Sequence, residues 1–385
     1  MKWFLIIVLI FSLILLIYVV LRESSQIDLM PPEVSNFLKT PTTSPAPVIT
    51  DIENQKPLAL PPAIIKAVYF TNWSAANPAK IKYLLKLASS SEINAVVIDI
   101  KDYTGYVGYD IKVPAVEKYQ AKEIRILYVN RLIKKLHDAG IYVIARLTIF
   151  QDPRLAAARP ALTVKSQKTG LPWRDNKGLS WIDPASQEAW DYNLAIAKDV
   201  SQRGFDEVNF DYIRFPSDGD LKDMVFPFWD EKTSRSAVLK NFFQYLREQL
   251  PGVKISADLF GLTTVNSDDL GIGQVIENAY QYFDYVCPMV YPSHYASGFL
   301  GYKNPALYPY EVIKYSLDAA VQRLNKMASS TDSIAEIRPW LQDFDLGAKY
   351  DSAMVQKEIQ ATTDALGENF NGWLLWNPEN VYTID

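Results

Sequence analysis

One cysteine and two histidines are all that the 385 residues contain. The lone Cys287 excludes an internal disulfide, and His137 with His294 cannot build a His-rich metal centre; HExxH and CxxC spacings are both missing. No run of Lys or Arg occurs, and a formal charge of −5 leaves no electrostatic footprint for nucleic acid. No GxGxxG follows the first strand-like run, and no Gly-rich phosphate loop follows the last ones, which argues against dinucleotide and phosphosugar chemistry. The expectation is therefore a protein without metal or cofactor and without a nucleic-acid partner.

Apolar residues make up 49% of the chain and aromatics 13%, enough for a sizeable core with rings left for binding surfaces. Trp3 to Leu21, "WFLIIVLIFSLILLIYVVL", carries no charge and is close to the ~20 residues that span a bilayer. A cleaved signal peptide is the competing reading, but its apolar core is usually shorter, and no small-x-small site precedes "RESSQ". Lys2 on one side and Arg22 beside Glu23 on the other place the N-terminus in the cytoplasm. The expected organisation is a transmembrane signal anchor over residues 1–22, a Pro/Ser/Thr-rich linker over 23–62 and a folded domain over 63–385. That puts the protein in the cell membrane as a single-pass chain, its C-terminal domain extracytoplasmic.

From Ala63 onward, eight β-branched or aromatic runs alternate with longer amphipathic ones: 63–73, 93–102, 142–150, 207–216, 253–261, 285–292, 337–344 and 371–378. Pro and Gly punctuate the helical stretches between them, and in "WIDPASQEAW" Asp183 reads as a cap with Pro184 in the first turn. Eight such units predict a (β/α)₈ TIM barrel, with an open doubly wound sheet as the alternative. After the eighth strand too few residues follow for a full final helix, and the apolar segment 50–62 is expected to cover that groove. Residues 151–183, the longest insertion, follow strand three; loops of this length are usually functional or disordered, and the aromatics here favour function.

Barrel enzymes keep their working residues at the C-terminal strand ends. Strand two ends in Asp99, Lys101 and Asp102; strand three passes Arg146; strand four carries Asn209, Asp211 and Arg214. Strand five has Ser256 and Asp258, strand six Tyr291 with His294 beyond, strand seven Gln342 and Asp343, strand eight Trp376 and Asn377. By period two, Asn209 and Asp211 share a face, as do Ser256 and Asp258, so both carboxylates can enter one mouth. Glycoside hydrolysis needs such a pair, one ionised and one protonated. A structural ion pair of Asp211 with Arg146 or Arg214 is the other reading. Tyr291, His294, Trp340, Trp376 and Trp173 are candidate platforms for sugar rings, each also readable as core. A Schiff-base role for Lys101 needs a desolvated pocket; Asp99, Lys101 and Asp102 read better as a charge network at the mouth.

The blocks "FDEVNFDYIRFP", "ISADLFGLTT", "DYVCPMVYPSHY", "IRPWLQDF" and "GWLLWNPENVYT" resemble an uncharacterised bacterial glycosyl hydrolase domain family, from about residue 64 onward. That family is in turn similar, more distantly, to α-amylase-like barrels. That distant likeness implies a nucleophile at Asp211, an acid/base at Asp258 and a helper carboxylate at Asp343; from their places at or near the strand ends, Asp99, Lys101, Asp102, Arg146, Asn209, Arg214, Tyr291, His294, Gln342, Trp376 and Asn377 are expected around the substrate. Two positions depart from the α-amylase-like pattern: Asp258 stands where Glu is usual, and Asn209 where an Arg is usual two residues before the nucleophile. The expected function is hydrolysis of a cell-surface or extracellular polysaccharide; the alternative is a non-catalytic glycan-binding barrel of the cell envelope.

Overall fold

The computed structural model describes residues 50–328 and 335–384. The stretch expected to anchor the chain, and residues 23–49 of the expected linker, lie outside the described residues. Among the described residues no helix is long and apolar enough to cross a membrane.

Eight parallel strands form the centre: β1 (Ile65–Phe70), β2 (Ala95–Lys101), β3 (Tyr142–Thr148), β4 (Glu207–Asp211), β5 (Ile255–Phe260), β6 (Tyr285–Met289), β7 (Trp340–Gln342) and β8 (Gly372–Trp376). Each pairs with the next, and β8 returns to β1, so the sheet closes. The eight runs read from the sequence are these eight strands. β7 is entered through the short pairing of Glu336–Ile337 with β6, interrupted where Pro339 has no N–H to give the ladder. Seven helices follow strands one to seven: α1 (Pro78–Ser90), α2 (Val129–His137), α3 (Gln187–Gln202), α4 (Arg235–Gln249), α5 (Ile276–Tyr280), α6 (Pro309–Ala328) and α7 (Ser352–Leu366). The open-sheet alternative is thereby excluded.

Alternation along each strand divides the core in two. In β1, Val68 and Phe70 face the helices and join Ile81 and Leu84 of α1, whereas Ala67 and Tyr69 face inward with Ala95, Val97, Ile144, Trp340 and Leu374. Both faces are buried, which is why these strands read as near-continuous apolar runs. An inward polar residue on such a strand then has a short choice of partners, all inside the barrel.

Two local expectations need correction. The N-cap of α3 is Ser186, whose side chain accepts from the Ala189 N–H; Asp183 instead accepts from the backbone N–H groups of Ala185, Phe228 and Trp229, tying two loops together. Segment 50–58 does not fill the groove after β8. Asp51 accepts from the N–H groups of Asn130 and Arg131 at 2.8 and 3.1 Å, capping α2, whose own flanking Tyr128 supplies no side-chain cap. The segment then runs on to Arg203 and Asp206, through Gln55 N–H to the Arg203 carbonyl and Leu58 N–H to the Asp206 carboxylate. The groove is closed by residues 380–384. Tyr382 and Ile384 are buried in the outer core, Tyr382 N–H donates to the Tyr83 hydroxyl of α1 at 2.9 Å, and Asn380 bonds the Tyr69 carbonyl of β1 at 3.1 Å. Polar tail atoms thus find partners on α1 and β1, while the polar first half of segment 50–62 is engaged at α2 and Arg203.

The insertion after β3 is ordered. It folds back on itself through bridges Gln151 to Trp181, Thr163 to Ile182 and Arg174 to Ser180, and Lys165–Ser166 pairs with Met224–Val225 from the loop after β4. Trp173 and Trp181 are its core, which removes Trp173 from the sugar platforms; its indole N–H donates to the Asp220 carbonyl at 3.0 Å.

Candidate active site

At the C-terminal strand ends lies a cavity of about 630 Å³. Eight of the expected site residues line it: Arg146, Asp211, Arg214, Asp258, Tyr291, His294, Trp340 and Trp376. Asn209 lies just beneath.

Register explains the pairing of the carboxyls. β4 and β5 run side by side through Asn209–Ser256 and Phe210–Ala257, and the next residue on each strand is Asp211 and Asp258. Strands stand about 4.8 Å apart in a sheet, so two aspartates at matched positions share one patch of the mouth. Arg146 joins them from β3: its Nη2 donates to Asp211 Oδ2, its Nη1 to Asp99 at 2.5 Å, and its Nε lies 3.6 Å from Asp258 Oδ2. Above the guanidinium stands the Trp376 ring, 5.2 Å away, itself stacked on Tyr69 at 3.8 Å.

The two aspartates live in different surroundings. Asp211 holds the guanidinium contact and accepts from the Tyr212 N–H at 2.5 Å. Tyr212 has φ +53°, an unfavourable backbone for a bulky residue and a strain typical of functional turns. That turn sends the next residues back over the mouth. Asp258 is fully enclosed: its Oδ1 accepts from Asn209 at 2.8 Å and the Trp340 indole at 2.7 Å, while Oδ2 has no hydrogen-bond partner. Burial, reinforced by the charge of Asp211, pushes Asp258 from 3.8 up to about 8, outweighing the opposing pull of Arg146 and the two N–H donors. Burial thus favours the protonated form of Asp258, and the unbonded Oδ2 is the oxygen free to carry that proton.

Aromatic rings wall the cavity on the β6 to β8 side. Trp340 meets Trp376 edge-on at 5.6 Å; Tyr291, His294 and Phe344 form a second cluster at 5.3 to 6.2 Å. Burial lowers the His294 imidazole, so it is neutral at physiological pH. Gln342 stands behind this wall and holds it, accepting from Ser293 N–H at 3.2 Å and donating to the Phe344 carbonyl at 2.9 Å.

Several expected residues are elsewhere. Lys101 is sealed between β2, β3 and α3, paired with Asp152 at 2.7 Å and bonded to the Thr148 carbonyl and Asn193, so neither a Schiff base nor a network at the mouth fits it. Asp102 faces Arg125 and Asn72 on the other side of β2. Asp99 stays inside the barrel, below Arg146, accepting also from the Tyr69 hydroxyl. Asp343 turns away from the cavity toward the C-terminal tail, accepting from Thr383 N–H at 2.9 Å and Thr383 Oγ1 at 2.7 Å; Asn377 braces its carbonyl. A strand end reaches both the mouth and the rim, and one residue of phase separates them.

Sequence reasoning missed Tyr212, Phe260 and Phe344 on the cavity wall, together with Gln151, Asp175 and Lys177 from the insertion, and Tyr69, stacked on Trp376. Tyr69 was accessible, since it is the last inward position of β1. The insertion residues carried no periodic signal.

A closed parallel barrel with an aromatic-walled cavity at its C-terminal strand ends defines the class: a (β/α)₈ barrel with a candidate site in its mouth. Residues 67–382 match the family described as "Putative glycosyl hydrolase domain", and the chain belongs to that family. A hypothetical protein from Ruminiclostridium thermocellum ATCC 27405 is 40% identical over 53% of this chain and 98% of its own, with a TM-score of 0.47. The glycoside hydrolase domain of PgaB (BpsB) from Bordetella bronchiseptica shares the fold, with a TM-score of 0.60 at 15% identity over 82% of this chain and 95% of its own. Among curated proteins there is no match.

Proposed function

We propose that the protein hydrolyses O-glycosidic bonds of a cell-surface or extracellular polysaccharide, with Asp211 as nucleophile and Asp258 as acid/base. The observation that carries this reading is the division of labour between adjacent carboxyls: Asp211 faces a guanidinium, and Asp258 is held protonated to about 8. Asp211 attacks the anomeric carbon while Asp258 Oδ2 delivers its proton to the departing glycosidic oxygen. The C–O bond breaks and a glycosyl ester forms on Asp211. Asp258, now a carboxylate, takes a proton from a water that attacks the same carbon and releases Asp211. Matched positions on neighbouring strands suit the ~5–5.5 Å separation of retaining enzymes better than the ~6.5–9.5 Å of inverting ones. Trp376, Trp340 and Tyr291 offer apolar faces to the C–H surfaces of sugar rings.

Residues 1–22 anchor the chain in the cell membrane with the barrel outside, in keeping with the uncharged run from Trp3 to Leu21. Protease shaving of intact cells should then remove the barrel and leave the N-terminal peptide with the membrane; a barrel that stays protected would refute this orientation.

The full chain in detergent, assayed on envelope and storage glycans beside Asp211→Asn, tests the activity. Reducing-end release by the parent and a loss of at least ~10²-fold in the variant are expected. Equal release by both removes Asp211 from the nucleophile role, and binding without release favours a glycan-binding barrel.

A further inference from the structure

Arg214 is the second buried guanidinium of the cavity, and it lacks what Arg146 has. Its residue is 7% exposed, yet no carboxylate pairs with it among the described residues. The turn at Tyr212 carries it back over the mouth, where its guanidinium carbon lies 4.7 Å from the ring centres of Trp181 and Phe260 and 5.2 Å from Tyr212. One nitrogen does the anchoring: Nη1 donates to the Phe215 carbonyl and to Ser217 Oγ, both at 3.1 Å. Nε and Nη2 donate to no group among the described residues, and the side chain lines the cavity. These two N–H groups form one edge of the guanidinium, the edge whose parallel donors match a carboxylate in bidentate fashion.

We propose that Arg214 is a carboxylate-recognition subsite, which makes acidic glycans, with a uronic acid or similarly carboxylated ring beside the cleavage point, the substrate class. This rests on the glycan reading above. Rings around the cation fix its plane and strip its water, so a partner anion gains more there than at the surface. Burial lowers the pKa of Arg214, a cost that a bound carboxylate relieves. Neighbouring acids do not occupy the fork. Asp175 is taken by Gln151, the Trp181 indole and the N–H groups of Lys177 and Leu179, and Asp218 sits at the rim, bonded to Asn176 N–H. Lys177 and Asp218 both line the cavity, so the entrance charges offset and the acid preference rests on Arg214.

Calorimetry on the full-length Asp211→Asn chain in detergent, with oligogalacturonate and oligoglucuronate against their carboxyl-reduced neutral forms, tests the proposal. At least about tenfold tighter binding of the acidic form is expected, weakening with salt and disappearing in the added Arg214→Met exchange. Arg214→Lys, which keeps the charge but not the fork, should retain only a small part of the preference. Melting curves of both variants separate loss of recognition from loss of fold, and the acid-against-neutral comparison in the Arg214-intact chain stands whether or not they fold. Equal binding of acidic and reduced forms, a preference that survives Arg214→Met, or preference for a sulfated over a carboxylated oligosaccharide overturns it. Cleavage of neutral glycans alone would sink this subsite and spare the hydrolase reading; Arg214-dependent binding of acidic glycans without cleavage would do the reverse.

Discussion

Arg146 and Asn209 are register partners on β3 and β4, and it is the arginine that reaches Asp211 while the asparagine, two residues before that carboxylate on its own strand, does not. Asn209 donates to Asp258 and Ser256 instead. The guanidinium thus enters from the neighbouring strand, which also brings it against Asp99 and Asp258.

Arg146 pairs with two buried carboxyls, Asp99 and Asp211, so removing it leaves uncompensated charge. Arg146→Met should cost about 3–5 kcal/mol in urea unfolding at pH 7. A cost under about 1 kcal/mol would show that the aspartates share protons without it.

Asp258 should set the alkaline limb of activity. The acid form is required, so cleavage should fall as pH rises through about 8. Asp258→Asn should lower kcat by about 10²–10⁴-fold at neutral pH. Stability follows the same group: between 3.8 and about 8 the native state keeps a proton that the unfolded chain has released, so this contribution is whole at low pH and declines as pH rises to about 8. Asparagine in its place should flatten that decline, read from denaturant melts at pH 5 to 9.

The indole of Trp340 donates to Asp258, which stabilises the ionised form and holds the carboxyl's pKa down against the upward push of burial. Trp340→Phe keeps a ring and deletes the donor, and the alkaline limb should move to higher pH by up to about one unit. A pH–rate profile unchanged in position would mean that the indole acts on packing alone.

Asp343 and Glu207 serve stability. Asp343→Ala loses the bonds to Thr383 and should cost ~1–3 kcal/mol while leaving kcat within about twofold. Glu207 pairs with Arg338 inside the barrel at 2.5 Å, away from the cavity lining, and Glu207→Ala should cost about 3–5 kcal/mol. Unfolding curves and steady-state rates on the same preparations check both.

The eight strands, the exclusion of an internal disulfide and the adjacent pair Asp211 and Asp258 were all legible from residue order. Strand periodicity, Pro and Gly punctuation and buried charge are local signals, and a closed parallel sheet buries both faces of every strand, so its strands announce themselves. What only the tertiary structure decided was partnership. Lys101 and Asp343 lie at strand ends just as Asp258 does, but a turn of one residue sends each behind the wall, to Asp152 and Thr383. Arg214 acquires its three rings from Trp181, Phe260 and Tyr212, drawn from three separate loops and strands, and Asp51 caps a helix 79 residues away. Such contacts depend on register and on loop paths across the closed barrel, and neither is written in the spacing of any single segment.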